Sequence, residues 1–89
     1  MKKMIKQYAN IKKQKQYLDA VVLFRCGDSY ETYCDDAITV SKILGITFTY
    51  SFSERVEIAR FDHLLLSTYL PELIRAGKRV AVGELEDNN

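Results

Sequence analysis

Four carboxylates lie close together in the chain: Asp28, Glu31, Asp35 and Asp36. Such a set could hold a divalent cation and hydrolyse a phosphodiester, carboxylate oxygens being the ligands hard cations take. Simpler roles account for most of it. Asp28 follows Gly27 in a turn pair, and Asp35 or Asp36 stands where a helix wants its N-cap. The single histidine, His63, falls at a helix start as a surface or capping residue and offers little general-base chemistry. Cys26 and Cys34 lack a C-x-x-C spacing and have no activating base nearby in sequence. They read as reduced, half-buried thiols, not as a nucleophile, a disulfide or half of a zinc site. The four glycines, at 27, 45, 77 and 83, do not form the G-x-x-x-x-G-K-[ST] loop that cradles phosphates. No enzyme activity, metal or cofactor is expected.

The lysines suggest a different chemistry. Lys2, Lys3, Lys6, Lys12, Lys13 and Lys15 all precede the first acid, Asp19, although the net charge is only +1. A clustered basic segment is the footprint of a phosphate-contacting surface, and Lys12 and Lys13 are the candidates taken from it. A solvated helix face would leave the same pattern.

The stretch Leu23-Phe24-Arg25-Cys26-Gly27-Asp28-Ser29-Tyr30-Glu31-Thr32-Tyr33-Cys34-Asp35-Asp36-Ala37 resembles the segment that opens the mismatch-recognition domain of MutS DNA-repair proteins. That pattern is roughly F-x-R-x-G-D-F-Y-E-x-(aromatic)-x-D-D-A. Arg25, Gly27, Asp28, Tyr30, Glu31, Tyr33, Asp35, Asp36 and Ala37 match it, and the family's DNA-wedging Phe falls on Ser29. A weaker likeness covers Gly77-Lys78-Arg79-Val80-Ala81-Val82-Gly83-Glu84, similar to the family's G-x-x-V-A-(I/V)-C-E. The family's basic Leu-Thr-Lys-Arg hairpin becomes Phe48-Thr49-Tyr50-Ser51, and its Met-Ala-Gly-x-Pro-Tyr-His becomes Ile58-Ala59-Arg60-Phe61-Asp62-His63-Leu64.

The resemblance implies an α+β fold, a mixed β-sheet of about five to six strands packed with three α-helices. It implies the recognition domain standing alone, without the clamp and ATPase domains that follow it in MutS proteins. In that family the Phe stacks on a mispaired base from the minor groove and the Glu hydrogen-bonds the base. Apolar wedges of this kind unstack a step and kink the duplex. Stacking on an aromatic ring is worth about 1–3 kcal/mol per base, which a Ser hydroxyl cannot replace. The expected partner is double-stranded DNA, mismatched or distorted, contacted through Ser29, Glu31, Lys12 and Lys13. Tyr50 and Phe52 are candidates for a substitute wedge, although their alternation with Ile46 and Phe48 makes core burial the default. The competing reading is a protein-interaction domain that kept the fold and lost DNA binding, pairing with a protein partner or a second copy by a sheet edge or by its basic helix.

The elements that position these residues are legible as patterns. The 89 residues form one domain, 1–89, apolar enough at 47% to be globular and too short for two cores. No run is long enough to span a membrane, and the start has no apolar signal region, so a cytoplasmic protein is expected. Residues 3–17 suit a helix with Met4 or Ile5, Tyr8 and Ile11 on its apolar stripe. Val21-Val22-Leu23-Phe24 suits a strand buried on both faces, near 20–25, followed after Gly27-Asp28 by a second strand near 29–33. On that strand Ser29, Glu31 and Tyr33 share one face and Tyr30 and Thr32 the other. A capped helix runs to Leu44 and stops at Gly45. Residues 46–52 alternate as a strand, with 53–55 a turn into another at 56–61. Asp62 caps a last helix with Leu65, Leu66, Tyr69, Leu70, Leu73 and Ile74 inward, kinked or broken near Leu70 by Pro71. Residues 79–85 form a final strand, and 86–89 a polar tail.

Overall fold

The computed structural model describes residues 3–84. Lys2, Leu85 and the tail 86–89 lie outside them. The element order is α1 (Lys3–Lys12), β1 (Ala20–Cys26), β2 (Ser29–Tyr33), α2 (Cys34–Leu44), β3 (Thr49–Ser51), β4 (Val56–Asp62), α3 (Leu66–Arg75) and β5 (Arg79–Glu84), with 3₁₀ turns at Lys15–Tyr17 and His63–Leu65. The strands form one sheet in the order β3-β4-β2-β1-β5. Among the described residues only the β1–β5 pair is parallel. Among the described residues, five mixed strands and three α-helices match the α+β expectation.

Because strand side chains alternate, the sheet has two apolar faces, each needing cover. On one, Val22, Phe24, Tyr33 and Val56 pack against Ile5 and Tyr8 of α1. On the other, Val21, Leu23, Tyr30 and Phe61 pack against Val40 of α2 and Leu73 of α3. β1 feeds both clusters, which is why its apolar run is unbroken and fully buried from Ala20 to Phe24.

Several boundaries differ from expectation, each for a local reason. The first helix ends at Lys12, and the rest of the basic stretch turns as 3₁₀ at Lys15–Tyr17 before β1. The second helix begins at Cys34, with Tyr33 at the N-cap position and no side-chain cap. Neither Asp35 nor Asp36 caps it: both lie inside its first turn, and Asp36 is drawn inward to α1 and β1. Asp62 does cap, accepting from Leu64 N, but the turn it starts is the 3₁₀ segment that leads into α3. α3 is continuous through Pro71 and is not broken at Leu70. Of its expected inward residues Leu73 is buried, whereas Leu65 and Ile74 are exposed.

The largest departure is the strand expected over 46–52. Gly45, with φ +70°, and Ile46 both donate to the Ser41 carbonyl as α2 ends, so the chain is still leaving the helix at 46–48. Only Thr49–Ser51 pairs with β4, and Phe48, Tyr50 and Phe52 are exposed, not buried in the core.

Candidate nucleic-acid interface

Ser29 is the first residue of β2, directly across from Cys26 on one side and Asp62 on the other. The turn that delivers it is pinned from both sides. Gly27 adopts φ +63°, where a side chain would be strained. Arg25 Nε donates to the Gly27 carbonyl at 2.6 Å, and its guanidinium lies 5.7 Å over the Tyr30 ring. His63 N donates to the Asp28 carbonyl at 2.8 Å. Ser29 is thus half-buried at the turn end of the sheet, on the α1 face.

Glu31 shares that face but is only 3% exposed. Tyr33 Oη donates to its Oε1 at 2.9 Å, and Arg60 Nη2 lies 3.1 Å from its Oε2. Arg60 is the residue directly opposite Glu31 on β4, so strand register alone brings the pair together. Burial, then the charge of Glu31, then the hydrogen bond to it push the Tyr33 phenol well above its ordinary range.

A second polar cluster lies at the other end of the same face. The β1–β2 ladder closes at Phe24↔Glu31, and beyond it β2 turns into α2, leaving backbone groups without strand partners. Asp36 Oδ2 accepts from Val22 N at 3.2 Å. Tyr8 Oη lies 2.9 Å from both Asp36 Oδ2 and the Tyr33 carbonyl, its one proton within reach of either. Lys12 Nζ donates to the Ala20 carbonyl and pairs with Asp36 at 3.2 Å. Burial first, and then the Asp36 charge, hold the Tyr8 phenol far above its ordinary value.

The expected site residues therefore fall into three groups. Ser29 and Glu31 are together at the turn end. Lys12 and Lys13 are at the Ala20 end, and along β1, at ~3.3 Å per residue, that end lies roughly 20 Å from the level of Ser29 and about 13 Å from the level of Glu31. Lys12 is engaged internally, while Lys13 is exposed. Tyr50 and Phe52 belong to the edge hairpin, with ring centroids 5.0 Å apart and nearly perpendicular. Phe52 is 85% exposed because it sits in the loop after β3, where Arg55 N donates to the Ser51 carbonyl. That hairpin, too, lies at the far end of β4 from the Asp62–Ser29 pair.

The carboxylates that could have formed a metal set diverge: Asp28 is in the turn, Glu31 is on Arg60, Asp35 is exposed in the first turn of α2, and Asp36 is on Lys12 and Tyr8. Sequence reasoning missed Arg60 and Tyr8. Arg60 carried a signal, since period-two alternation puts it on the same face as Val56 and Ile58, and a charge there needs a partner. Tyr8 carried none, its partners Tyr33 and Asp36 being distant in sequence. Among the described residues no helix is long and apolar enough to cross a membrane.

Comparison with known proteins identifies the family. The family described as MutS domain I matches residues 2–89. The DNA mismatch repair protein MutS of Bacteroides thetaiotaomicron is 54% identical over 88 residues, covering 94% of this chain and 10% of that protein. The proteins of the same name from Bacteroides fragilis and Porphyromonas gingivalis are 54% and 51% identical over the same shares. The chain thus spans about a tenth of the length of the curated relatives it matches. With the match running the length of the described fold, the chain belongs to the MutS domain I family.

Proposed function

We propose that this domain is a non-catalytic DNA-binding module related to mismatch recognition, one that contacts duplex DNA weakly and discriminates a mispair poorly. The observation that carries the reading is Ser29. By its motif it falls where the family has the wedging Phe; it lies at the partly open turn end of β2, with a side chain that cannot stack on a base. Glu31 stands behind it on the same face, and Lys13, just past the end of α1, supplies with the lysines of that helix a phosphate-attracting surface elsewhere. Lys12 contributes to that surface as a charge already shared with Asp36.

A salt titration against matched and mismatched duplexes tests this. Binding should weaken steeply with salt, with a log–log slope near −0.9 per phosphate contacted. Preference for the mismatch should stay below about tenfold, which is ~1.4 kcal/mol. A larger preference would mean that another aromatic has taken the wedge role, and Tyr50 and Phe52 are the residues to truncate first.

One observation favours a second reading, a protein-interaction domain. The Tyr50–Phe52 pair stands exposed on and just after the short edge strand β3, the kind of surface that pairs with another chain. Absence of salt-dependent binding to either duplex would put this reading first.

A further inference from the structure

Arg60 belongs to no part of the reading above, yet it occupies the same face as Ser29 and Glu31. Its side chain is 63% exposed, whereas its partner Glu31 is 4% exposed. Both oxygens of that carboxylate already accept, one from Tyr33 and one from Arg60. A duplex approaching this face therefore meets the guanidinium, with the carboxylate behind it.

We propose that Arg60 is a phosphate-contacting residue, held in position by Glu31 and Tyr33, and that it makes the β2–β4 face engage the nucleic-acid backbone and not a base edge. This rests on the reading of the domain as a DNA-binding module. The chemistry is that of a planar fork. One Nη group is on Glu31, and a guanidinium has further N–H donors suited to phosphate oxygens. A buried carboxylate fixed by a buried tyrosine orients that fork before any ligand arrives, which lowers the ordering cost of contact. Three other basic groups differ in this respect. Arg25 is turned onto Gly27 and Tyr30, Arg79 onto Asp19 and the Gln16 carbonyl, and Lys12 onto Asp36 and Ala20. Two acids border the face. Asp62 is engaged by Leu64 N, and Asp28 is exposed in the turn. They make the site a single contact, not a basic track.

The test is duplex binding of the whole chain as a function of salt, using matched and mismatched duplexes of equal length. Arg60→Gln should reduce the magnitude of the salt slope by about 0.9, the value of one phosphate. It should weaken both duplexes alike, within about twofold, because phosphate contacts carry no sequence information. Arg60→Lys should keep the slope, as a point charge suffices for counterion release. Since Arg60→Gln leaves Glu31 without its counter-charge, the same comparison is made in a Glu31→Gln background, where no buried charge is left unpaired; the slope change on losing Arg60 should recur there. A wild type that binds duplex while Arg60→Gln changes neither affinity nor slope overturns this inference alone. A loss confined to the mismatched duplex also overturns it, by showing a base contact. A wild type that binds neither duplex overturns the inference together with the DNA reading.

Discussion

The two faces of the sheet are closed by different physics. Under α2 and α3 the contacts are apolar: Val21, Leu23, Tyr30, Val40, Phe61 and Leu73 interlock, with Phe61 edge-on to Tyr69 at 5.1 Å. Under α1 the apolar contacts are supplemented by oriented polar bonds, Tyr8 to Asp36 and Tyr33, Asp36 to Val22 and Lys12, and Glu31 to Tyr33 and Arg60. Apolar packing is sensitive to volume and indifferent to direction. A hydrogen-bonded network fixes direction and register, and leaves a costly orphan if one member is lost. The face that carries Ser29 is therefore the one whose geometry is set by partners, and the opposite face is the one whose volume sustains the fold.

The contrast is sharpest for Leu73, which is fully buried in the α2/α3 cluster. Leu73→Ala should cost about 2–5 kcal/mol. An 89-residue domain is stable by only about 4–13 kcal/mol, so urea denaturation should show a midpoint shifted by a large part of its wild-type value. A small shift would mean that this face is not limited by volume.

On the α1 face the corresponding probe removes one oxygen. Tyr8→Phe should cost about 1–3 kcal/mol, since the buried acceptor of its proton, the Asp36 carboxylate or the Tyr33 carbonyl, loses a donor while the ring stays. It should also change the response to alkali. Tyr8 and Tyr33 are both held protonated in the fold, above the ordinary phenol value of 10.0. The stabilisation from each is complete below that value and is lost as pH rises above it, because the unfolded chain ionises first. Thermal melts across that range should show a shallower decline for Tyr8→Phe than for the wild type. An unchanged decline would remove Tyr8 from the alkaline response.

The smallest expected effect returns to the apolar face. Thr32 is buried there and its Oγ1 has no hydrogen-bond partner among the described residues. Thr32→Val should be neutral or stabilising by up to about 1 kcal/mol, because the hydroxyl is desolvated with nothing gained. A clear loss in the melting temperature would reveal a partner for that hydroxyl.

What was legible in the sequence was what neighbours in sequence determine. The buried run of β1, the Gly27-Asp28 turn, the α2 stop at Gly45 and the cap at Asp62 are local patterns, and they lie where expected. Asp36 was misread because capping is a local role, whereas its partners Tyr8 and Val22 come from elements that only the fold brings near. Alternation over 46–52 suggested a buried face, but the exit from α2 uses the first residues and the edge hairpin turns Phe52 out. Ser29 and Glu31 were placed on one face from strand parity alone. That Glu31 is closed in by Arg60 depends on the β2–β4 register, which no pattern within either strand specifies.

The central claim is that discrimination is weak because position 29 lacks a ring, and Ser29→Phe tests it most directly. The site is half-buried at the turn end of a strand, so the variant should fold with little change in stability. Its affinity for a mismatched or bulged duplex should rise relative to the matched one, by up to about 1–3 kcal/mol if one base stacks on the new ring. A variant that folds normally and gains neither affinity nor selectivity would contradict the account, because the face would then no longer dock on DNA.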